Sequence, residues 1–216
     1  MKTIKAALFD LDGTLVDSET QYSAFWGMMG KKYLPEITDF SSRVKGTTLR
    51  AILDTYFPDK EMQAIVPGMI DDYESKMEFP PIAGAAEFIK DLKANGVKCA
   101  VVTSSDKKKM GHVYNKEKEF MQLFDAVLTA EDFSASKPDP DCYLKAAKKL
   151  GAAIDECVVF EDAFNGINAG RNAGMPVIGL ATTNKREQIE TLCVHVIDNY
   201  IGFNYDAVVA ILNREQ

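Results

Sequence analysis

The sequence is poor in the residues that would hold a structural zinc ion. Its 216 residues include only two histidines, His112 and His195, and four cysteines. The cysteines are scattered, with no pair in a C-x-x-C spacing, so a structural zinc site is not indicated. Cys99 and Cys157 lie inside apolar runs. We expect both to be small core residues.

The sequence also lacks an excess of positive charge and any long apolar run. The formal net charge is -7, which argues against a general binder of nucleic acid or of anionic membranes. No stretch approaches the roughly 18 apolar residues that a membrane span needs. The first residues show no signal-peptide pattern. We therefore expect a cytoplasmic protein that binds neither nucleic acid nor membranes. The acidic composition, together with an enclosed sheet, favours a monomer.

What the sequence does contain is a short apolar run that ends in two carboxylates. Residues 6–9 read Ala-Ala-Leu-Phe, typical of a strand buried on both faces. Asp10 and Asp12 follow at its C-terminal end, where open α/β sheets place their ligand crevice. Two aspartates this close repel each other unless a cation or a shared proton is present. This pattern favours a chemical role over a simple Asp-Gly turn.

Between residues 17 and 79 the pattern is helical. Ser18 can cap a first helix, and Pro58 follows a second. Residues at helical spacing form three apolar faces: Tyr22, Phe25, Trp26 and Met29; Leu49, Ile52, Leu53 and Tyr56; Met62, Ile65, Met69, Tyr73 and Met77. These aromatic and methionine stripes are typical of core packing. They predict an all-helical block that Phe79-Pro80-Pro81 closes.

From Ile82 onward, short apolar runs alternate with helical sequence. The runs lie at residues 97–103, 126–129, 157–160 and 176–180. Such alternation predicts a parallel sheet with helices on both faces. The predicted fold class is therefore α/β, a Rossmann-like three-layer α/β/α core with a parallel sheet and an inserted all-helical cap domain. The core comprises residues 1–16 and 80–216, and the cap comprises residues 17–79, above the crevice.

Three further polar signals come at or near strand ends. Thr103 and Ser104 bring hydroxyls to the start of a helix, where an anion is favoured. Lys137 lies on a proline-containing turn before another helix. Glu161 and Asp162 end a buried run. Taken singly, each signal also has a purely structural explanation. The hydroxyls could cap a helix, Lys137 could be a solvated loop residue, and the acidic pair could be charges at a helix N-terminus.

Taken together, these residues suit a phosphoryl group and a magnesium ion. Mg²⁺ prefers hard oxygen ligands and often keeps a substrate phosphate in its shell. Asp10 and Asp162 could supply such ligands, with Glu161 as a third candidate. Lys137 and Thr103 could neutralise the remaining phosphoryl oxygens. Phosphoryl transfer needs chiefly positioning and charge stabilisation, which this set provides.

The same motifs resemble those of the haloacid dehalogenase superfamily, within it the β-phosphoglucomutase-like and phosphatase group with a helical cap after the first strand. The D-x-D-G-T signature is Asp10 to Thr14, the second motif is Thr103, and the lysine motif is Lys137 in Lys-Pro-Asp-Pro. The acidic motif is Glu161-Asp162, followed by Ala-Phe-Asn-Gly-Ile. All four occur in order, and the resemblance covers nearly the whole chain.

The resemblance implies a role for each catalytic residue. Asp10 would be the nucleophile that forms an aspartyl-phosphate. Asp12 would be the general acid for the leaving group and then the base that activates water. Thr103 and Lys137 would hold the phosphoryl oxygens. The implied function is a phosphatase of small phosphorylated metabolites such as sugar phosphates.

The resemblance also implies the cofactor and its ligands. Mg²⁺ would be bound by the Asp10 carboxylate, the Asp12 backbone carbonyl and Asp162, with Glu161 near or in its shell. Superfamily dehalogenases attack carbon and do not need the second aspartate of the signature. Because Asp12 is present, phosphoryl transfer is preferred.

Two alternative functions stay open. In mutases resembling β-phosphoglucomutase, a histidine follows the Asp-Gly-Thr turn where this chain has Tyr22, and a cap arginine follows a glycine more closely than Arg50 follows Gly46. Both departures favour a phosphatase. A non-catalytic phosphate-binding protein is the other alternative, against which every expected catalytic residue is present. Gly46 and Thr47 are expected to face the substrate with Tyr22.

The run Lys107-Lys108-Lys109 follows the second motif. It could attract anionic substrates to the cleft. A solvated helix face is the expected structure, since lysines in a first helical turn oppose the helix dipole slightly.

Overall fold

The computed structural model describes residues 3–214. Six strands within that range form one sheet in which all neighbours are parallel. They are β1 (Ala6–Phe9), β2 (Lys98–Val102), β3 (Ala126–Leu128), β4 (Cys157–Glu161), β5 (Val177–Leu180) and β6 (His195–Ile197). Their order is β3-β2-β1-β4-β5-β6, so β1 lies between β2 and β4.

Helices connect these strands; five of them lie between β1 and β2, and the first four of these form an insertion. The helices are α1 (Glu19–Tyr33), α2 (Phe40–Arg43), α3 (Leu49–Tyr56), α4 (Lys60–Lys76), α5 (Ala85–Ala94), α6 (Lys107–Lys116), α7 (Lys118–Met121), α8 (Asp141–Leu150), α9 (Phe164–Asn172), α10 (Arg186–Ile189) and α11 (Tyr205–Arg214). Single 3-10 turns lie at Ala130–Asp132, Ile154–Glu156 and Glu190–Leu192.

The sheet is covered on both faces, which explains why its strands are apolar throughout. Ala7 and Phe9 of β1 point into a cluster with α5, α6 and α11. Ala6 and Leu8 point into a second cluster with α8, α9 and α10. Alternate residues of a strand face opposite sides, so one strand serves two cores. The predicted Rossmann-like three-layer α/β/α architecture is confirmed.

Helices α1 to α4 pack around an apolar cluster of their own. Its buried members include Phe25, Trp26, Met29, Phe40, Ile52 and Val66. The backbone leaves the core and returns to it at adjacent points: the Asp17 N–H donates to Pro80 O at 2.9 Å and the Ile82 N–H donates to Leu15 O at 2.8 Å. Residues 17–79 remain the predicted extent of the cap domain.

Several local expectations differ from the structure. Ser18 occupies the N-cap position of α1, but its side chain makes no capping hydrogen bond because it is used elsewhere. Ile65 was placed on an apolar helix face and is 44% exposed. Strand β6 and helix α11 were not predicted from the sequence. Cys99 and Cys157 are buried, as predicted. Within residues 3–214, no helix combines the length and apolar character needed to cross a bilayer.

Candidate active site

Two neighbouring strands carry the acidic residues to one edge of the sheet. Asp10 directly follows β1, Glu161 is the last residue of β4, and Asp162 comes next. One carboxylate oxygen from each lies within 4.8 Å of the others, and all three residues are buried. Thr103 follows β2 on the other side of β1. The parallel register therefore brings the predicted motifs together.

Lys137 reaches this cluster from the loop before α8. Its side chain is fully buried, and its Nζ donates to Asp10 Oδ1 at 2.6 Å, to Glu161 Oε1 at 2.7 Å and to Val102 O at 3.1 Å. Burial alone would lower the pKa of Lys137, but Asp10 and Glu161 hold it well above its ordinary value. The ammonium group therefore stays charged between two carboxylates.

Glu161 has hydrogen-bond partners on both carboxylate oxygens. Oε1 accepts from Lys137 and from the Tyr143 hydroxyl at 3.0 Å. Oε2 accepts from the N–H of Asp162 at 3.0 Å and of Ala163 at 3.1 Å. Any side chain at Gly166 would overlap this carboxylate, so α9 can approach it only with a glycine there. Glu161 thus holds Lys137 and the start of α9 in place.

The pKa values of Asp10 and Asp162 are raised, and Asp162 also has an unmatched carboxylate oxygen. Burial raises the pKa of Asp10 to about 7; Lys137 opposes this shift, and Glu161 adds to it. Burial, Glu161 and Asp10 also raise the pKa of Asp162 well above its usual range. Asp162 Oδ1 accepts from the Thr14 hydroxyl at 2.8 Å. Oδ2 is buried and, within residues 3–214, no hydrogen bond of normal geometry reaches it, although the nearby Thr183 hydroxyl opposes the rise in the pKa of Asp162.

These observations fit a hard divalent cation. A buried carboxylate oxygen without a partner is unfavourable, and a cation beside Asp10 and Asp162 would satisfy it while favouring the ionised form of both. Any side chain at Gly13 would overlap the Asp162 carboxylate. Its positive φ of 76° is a second reason that this turn requires glycine.

Asp12 lies outside this acidic cluster and contacts different groups. Its Oδ1 accepts from the Ser18 hydroxyl at 2.5 Å, and its Oδ2 accepts from the Ser105 hydroxyl at 3.1 Å. Lys109 forms an ion pair with the same Oδ2. The two aspartates of the signature therefore have separate surroundings, one bound by Lys137 and one by Lys109.

The expectation that the lysine run is a solvated helix face is wrong for Lys109. Lys107 and Lys108 are exposed, but Lys109 is only 4% exposed. The Asp106 carboxylate accepts from the Lys109 N–H at 2.8 Å and so caps α6. Helix α6 is rotated so that Lys109, the third lysine of the run, lies on the helix face that contacts Asp12.

A cleft of about 800 Å³, counting its mouth open to solvent, lies between the helical insertion and this edge of the sheet. Asp10 and Asp12 line it, and so do the predicted substrate-binding residues Tyr22, Gly46, Thr47, Thr103 and Ser104. Lys137, Glu161 and Asp162 are not lining residues. They lie behind Asp10, within reach of its carboxylate.

Hydrogen bonds join the helical insertion to the core beside the cleft. The Ser104 hydroxyl donates to Gly46 O at 3.1 Å. Within the core loop itself, the Thr103 hydroxyl accepts from the Ser105 N–H at 3.0 Å. Asn165 donates to the Thr47 hydroxyl at 3.3 Å. Arg50, in contrast, has a side chain that is 91% exposed and pairs with Asp54. Arg50 is not a lining residue of this cleft.

Sequence reasoning missed several residues of the site. Lys109 and Ser105 follow the second motif closely in the sequence. Their position just after a strand end is the signal that could have indicated a place in the site. Glu74 and Tyr143 are single polar groups on apolar helix faces, where no local pattern marks them. Ser18 was predicted as a helix cap, and its contact with Asp12 is a tertiary one.

Curated relatives of this chain include two phosphatases. It is 31% identical to validoxylamine A 7'-phosphate phosphatase from Streptomyces hygroscopicus subsp. limoneus, over 86% of this chain and 89% of that protein. It is 34% identical to glycerol-1-phosphate phosphohydrolase 1 from Saccharomyces cerevisiae, over 83% and 76%. A β-phosphoglucomutase from Mycobacterium tuberculosis is 26% identical over 90% and 88%. The chain spans only 18% and 56% of the lengths of two relatives from Arabidopsis thaliana.

A solved structure and a family pattern agree with these relatives. The HAD hydrolase, family IA, variant 3 from Entamoeba histolytica superposes with a TM-score of 0.82 at 26% identity, covering 97% of this chain and 100% of that chain. The sequence pattern of the haloacid dehalogenase-like hydrolases matches residues 7–180. The chain belongs to the haloacid dehalogenase-like hydrolase family.

Proposed function

We propose that this enzyme is a Mg²⁺-dependent phosphatase of small phosphorylated metabolites such as sugar phosphates. The observation that carries the proposal is the pair of buried carboxylates Asp10 and Asp162. One is bound by the Lys137 ammonium, and the other has a carboxylate oxygen without a partner. Two of the phosphatase relatives have names that specify a glycerol phosphate and a validoxylamine phosphate, and these support a small substrate.

In the proposed reaction, two half-steps share one pair of aspartates. An Asp10 carboxylate oxygen attacks phosphorus, the ester P–O bond breaks, and Asp12 gives its proton to the departing alcohol oxygen. Asp12 then takes a proton from a water molecule whose oxygen attacks the aspartyl-phosphate. The P–O bond to Asp10 breaks, and inorganic phosphate leaves. Thr103 and Lys137 stabilise the phosphoryl oxygens in both half-steps.

The proposed metal ligands are the carboxylates of Asp10 and Asp162 and the backbone carbonyl of Asp12. Bound there, Mg²⁺ would neutralise charge on the phosphoryl oxygens. Glu161 already has partners on both oxygens. We therefore assign it the task of positioning Lys137, with any contact to the metal secondary.

We further propose that residues 17–79 act as a cap over the cleft. Their separate apolar cluster and their polar contacts with the core suit a body that excludes water when closed. The remaining expectations, a monomer that works in the cytoplasm, stay predictions. Sedimentation of the purified protein tests the first of them.

A phosphomutase is less well supported than a phosphatase. Arg50, the candidate for a second phosphate, is exposed and is not among the residues that line the cleft. Tyr22, where the mutases carry a histidine, donates its hydroxyl proton to Glu74 at 2.7 Å. A non-catalytic phosphate-binding protein would not require the juxtaposition of Asp10, Asp12, Lys137 and the acidic cluster.

The test is turnover of p-nitrophenyl phosphate with and without Mg²⁺. We expect hydrolysis that requires the metal, and a loss of about a thousandfold or more in kcat for Asp10→Asn, because the nucleophile is removed. Equal activity of the wild type and this variant would contradict the role of Asp10. Conversion of β-glucose 1-phosphate to glucose 6-phosphate at a rate above its hydrolysis would instead support the mutase.

A further inference from the structure

We infer that the cleft selects phosphate monoesters whose alcohol part carries hydroxyl groups and no second anion, and that Glu74 is a specificity-determining residue. The inference rests on the proposed phosphatase function and names its substrate class. It concerns the part of the cleft that the alcohol would occupy, away from Asp10.

This part of the cleft carries more negative than positive side chains. Its charged lining residues are the carboxylates of Asp12, Glu19, Glu74 and Asp106 and the ammonium groups of Lys45 and Lys109. Neither ammonium group is free for a ligand. Lys45 pairs with Glu19 at 3.0 Å, and Lys109 pairs with Asp12.

A second phosphate or carboxylate on the substrate would therefore find no available cation. To bind, it would have to displace Glu19 from Lys45 or Asp12 from Lys109. Either exchange leaves a largely buried carboxylate without its partner, in a space that already holds other carboxylates. The arrangement disfavours bisphosphates and phosphorylated acids and leaves neutral alcohols unaffected.

Glu74 is the group best placed to recognise such an alcohol. It comes from α4 and is only 6% exposed, yet it lines the cleft. Its Oε1 accepts from the Tyr22 hydroxyl at 2.7 Å. Within residues 3–214, no hydrogen bond reaches Oε2 and no cation forms an ion pair with either oxygen of Glu74. Oε2 is not fully enclosed by protein and is therefore open to the cleft, where a substrate hydroxyl could donate to it.

The surroundings of Glu74 strengthen the case. Burial raises the pKa of Glu74, with Lys109 opposing the shift. The carboxylate is therefore under-solvated, so a hydroxyl donor stabilises it and a nearby anion destabilises it further. Trp26, Ile52 and Ile70 line the same space and provide apolar contact for a carbon skeleton.

The first experiment compares three substrates with the Mg²⁺-loaded wild-type enzyme. Glycerol 1-phosphate and phosphoglycolate are similar in size but differ in having hydroxyls or a carboxylate. p-Nitrophenyl phosphate reports the phosphoryl chemistry alone. We expect kcat/KM for glycerol 1-phosphate to exceed that for phosphoglycolate by about tenfold or more. A smaller ratio, with p-nitrophenyl phosphate turned over, overturns the inference and leaves the phosphatase function standing. No turnover of any of the three overturns the phosphatase function itself.

The second experiment tests Glu74 with a variant of the same shape. In Glu74→Gln we expect the preference for glycerol 1-phosphate over phosphoglycolate to fall by about tenfold, because the repelling charge is gone. Turnover of p-nitrophenyl phosphate should change much less. Glu61→Gln, on the exposed start of the same helix, is the matched control and should keep the wild-type preference. A preference in Glu74→Gln equal to that of the control overturns the role of Glu74. Thermal unfolding of both variants verifies that they are folded.

Discussion

At the scale of single residues, Lys109 connects Asp12 to the helical insertion. Its ammonium group pairs with Asp12, and it lies 4.2 Å from the centroid of the Tyr22 ring. A cation over an aromatic face is attracted to it, more strongly where water is excluded. Lys109 therefore links a core residue proposed for proton transfer with a cap residue that contacts Glu74.

Replacing Lys109 by methionine should impair proton transfer more than phosphoryl attack. The change keeps most of the side-chain volume but removes the charge that holds Asp12. We expect kcat for glycerol 1-phosphate to fall by about 10- to 100-fold, because general acid catalysis is needed for an alkoxide leaving group. The loss should be smaller with p-nitrophenyl phosphate, whose leaving group needs little protonation. Lys107→Met, an exposed neighbour, is the control. Equal losses on both substrates would contradict this assignment.

The pKa of Asp10 gives the metal affinity a defined dependence on pH. Burial raises that pKa to about 7, so in the metal-free protein the carboxyl holds a proton below neutral pH. Mg²⁺ needs the ionised form and displaces this proton. We expect its affinity to fall as the pH drops below about 7, by about tenfold per pH unit for each proton released. The rise in Tm that Mg²⁺ causes, measured at pH 5.5 and at pH 8, tests this dependence of the affinity on pH.

The raised pKa of Asp10 also makes the free energy of unfolding depend on pH. Because the pKa of Asp10 is higher in the folded than in the unfolded chain, this group favours the folded state most at low pH. Its contribution to the free energy of unfolding falls as pH rises from about 4 to about 7. Mg²⁺ should offset that fall. The Asp10→Asn variant has no titrating group at this position, so its free energy of unfolding should lack this part of the pH dependence.

At the scale of elements, helix α4 of the cap and helix α6 of the core are joined by one carboxylate. Asp71 pairs with Lys108 at 2.8 Å and with His112 at 3.0 Å. The hydrogen bonds from Lys108 and His112 lower the pKa of Asp71, so it remains ionised at neutral pH. These contacts help to hold the cap against the core, and they are partly open to solvent.

Asp71→Ala should weaken closure of the cap without altering the chemistry. Solvent-exposed ion pairs contribute about 0–1 kcal/mol each, so we expect KM to rise by up to about fivefold while kcat changes little. The control is Asp72→Ala, because the adjacent Asp72 pairs with Lys76 inside the same helix at 2.7 Å. Steady-state kinetics on glycerol 1-phosphate compares the two. A comparable rise in KM in the control would show that the effect does not come from the contact between α4 and α6.

The elements themselves were largely predictable because burial leaves a clear signature. A strand covered on both faces must be apolar throughout, and residues 6–9 and 157–160 showed this. Strand β6 could not be predicted from the sequence because it has only three residues and lies at the edge of the sheet. Its first residue, His195, is exposed. Its pairing depends on the neighbouring β5, which no local pattern reveals.

At the scale of the whole molecule, the strand-end residues were predictable and the cleft walls were not. Asp10, Thr103 and Asp162 meet because all parallel strands end at one edge, a rule that needs no side-chain detail. The inward turn of Lys109 and the burial of Glu74 depend on how α6 and α4 are rotated. That rotation is set by contacts between distant parts of the chain, so the sequence predicted the chemistry better than the substrate.

The insertion of the helical block has a consequence for how such a protein can diversify. The chain leaves the core after Val16 and re-enters at Pro81, and these two residues pair as an antiparallel bridge. A segment whose two ends are already side by side can be lengthened, shortened or exchanged by recombination while the sheet stays intact. Under the proposed function, such an exchange would change the residues that face the alcohol part of a substrate and leave the residues at the strand ends in place.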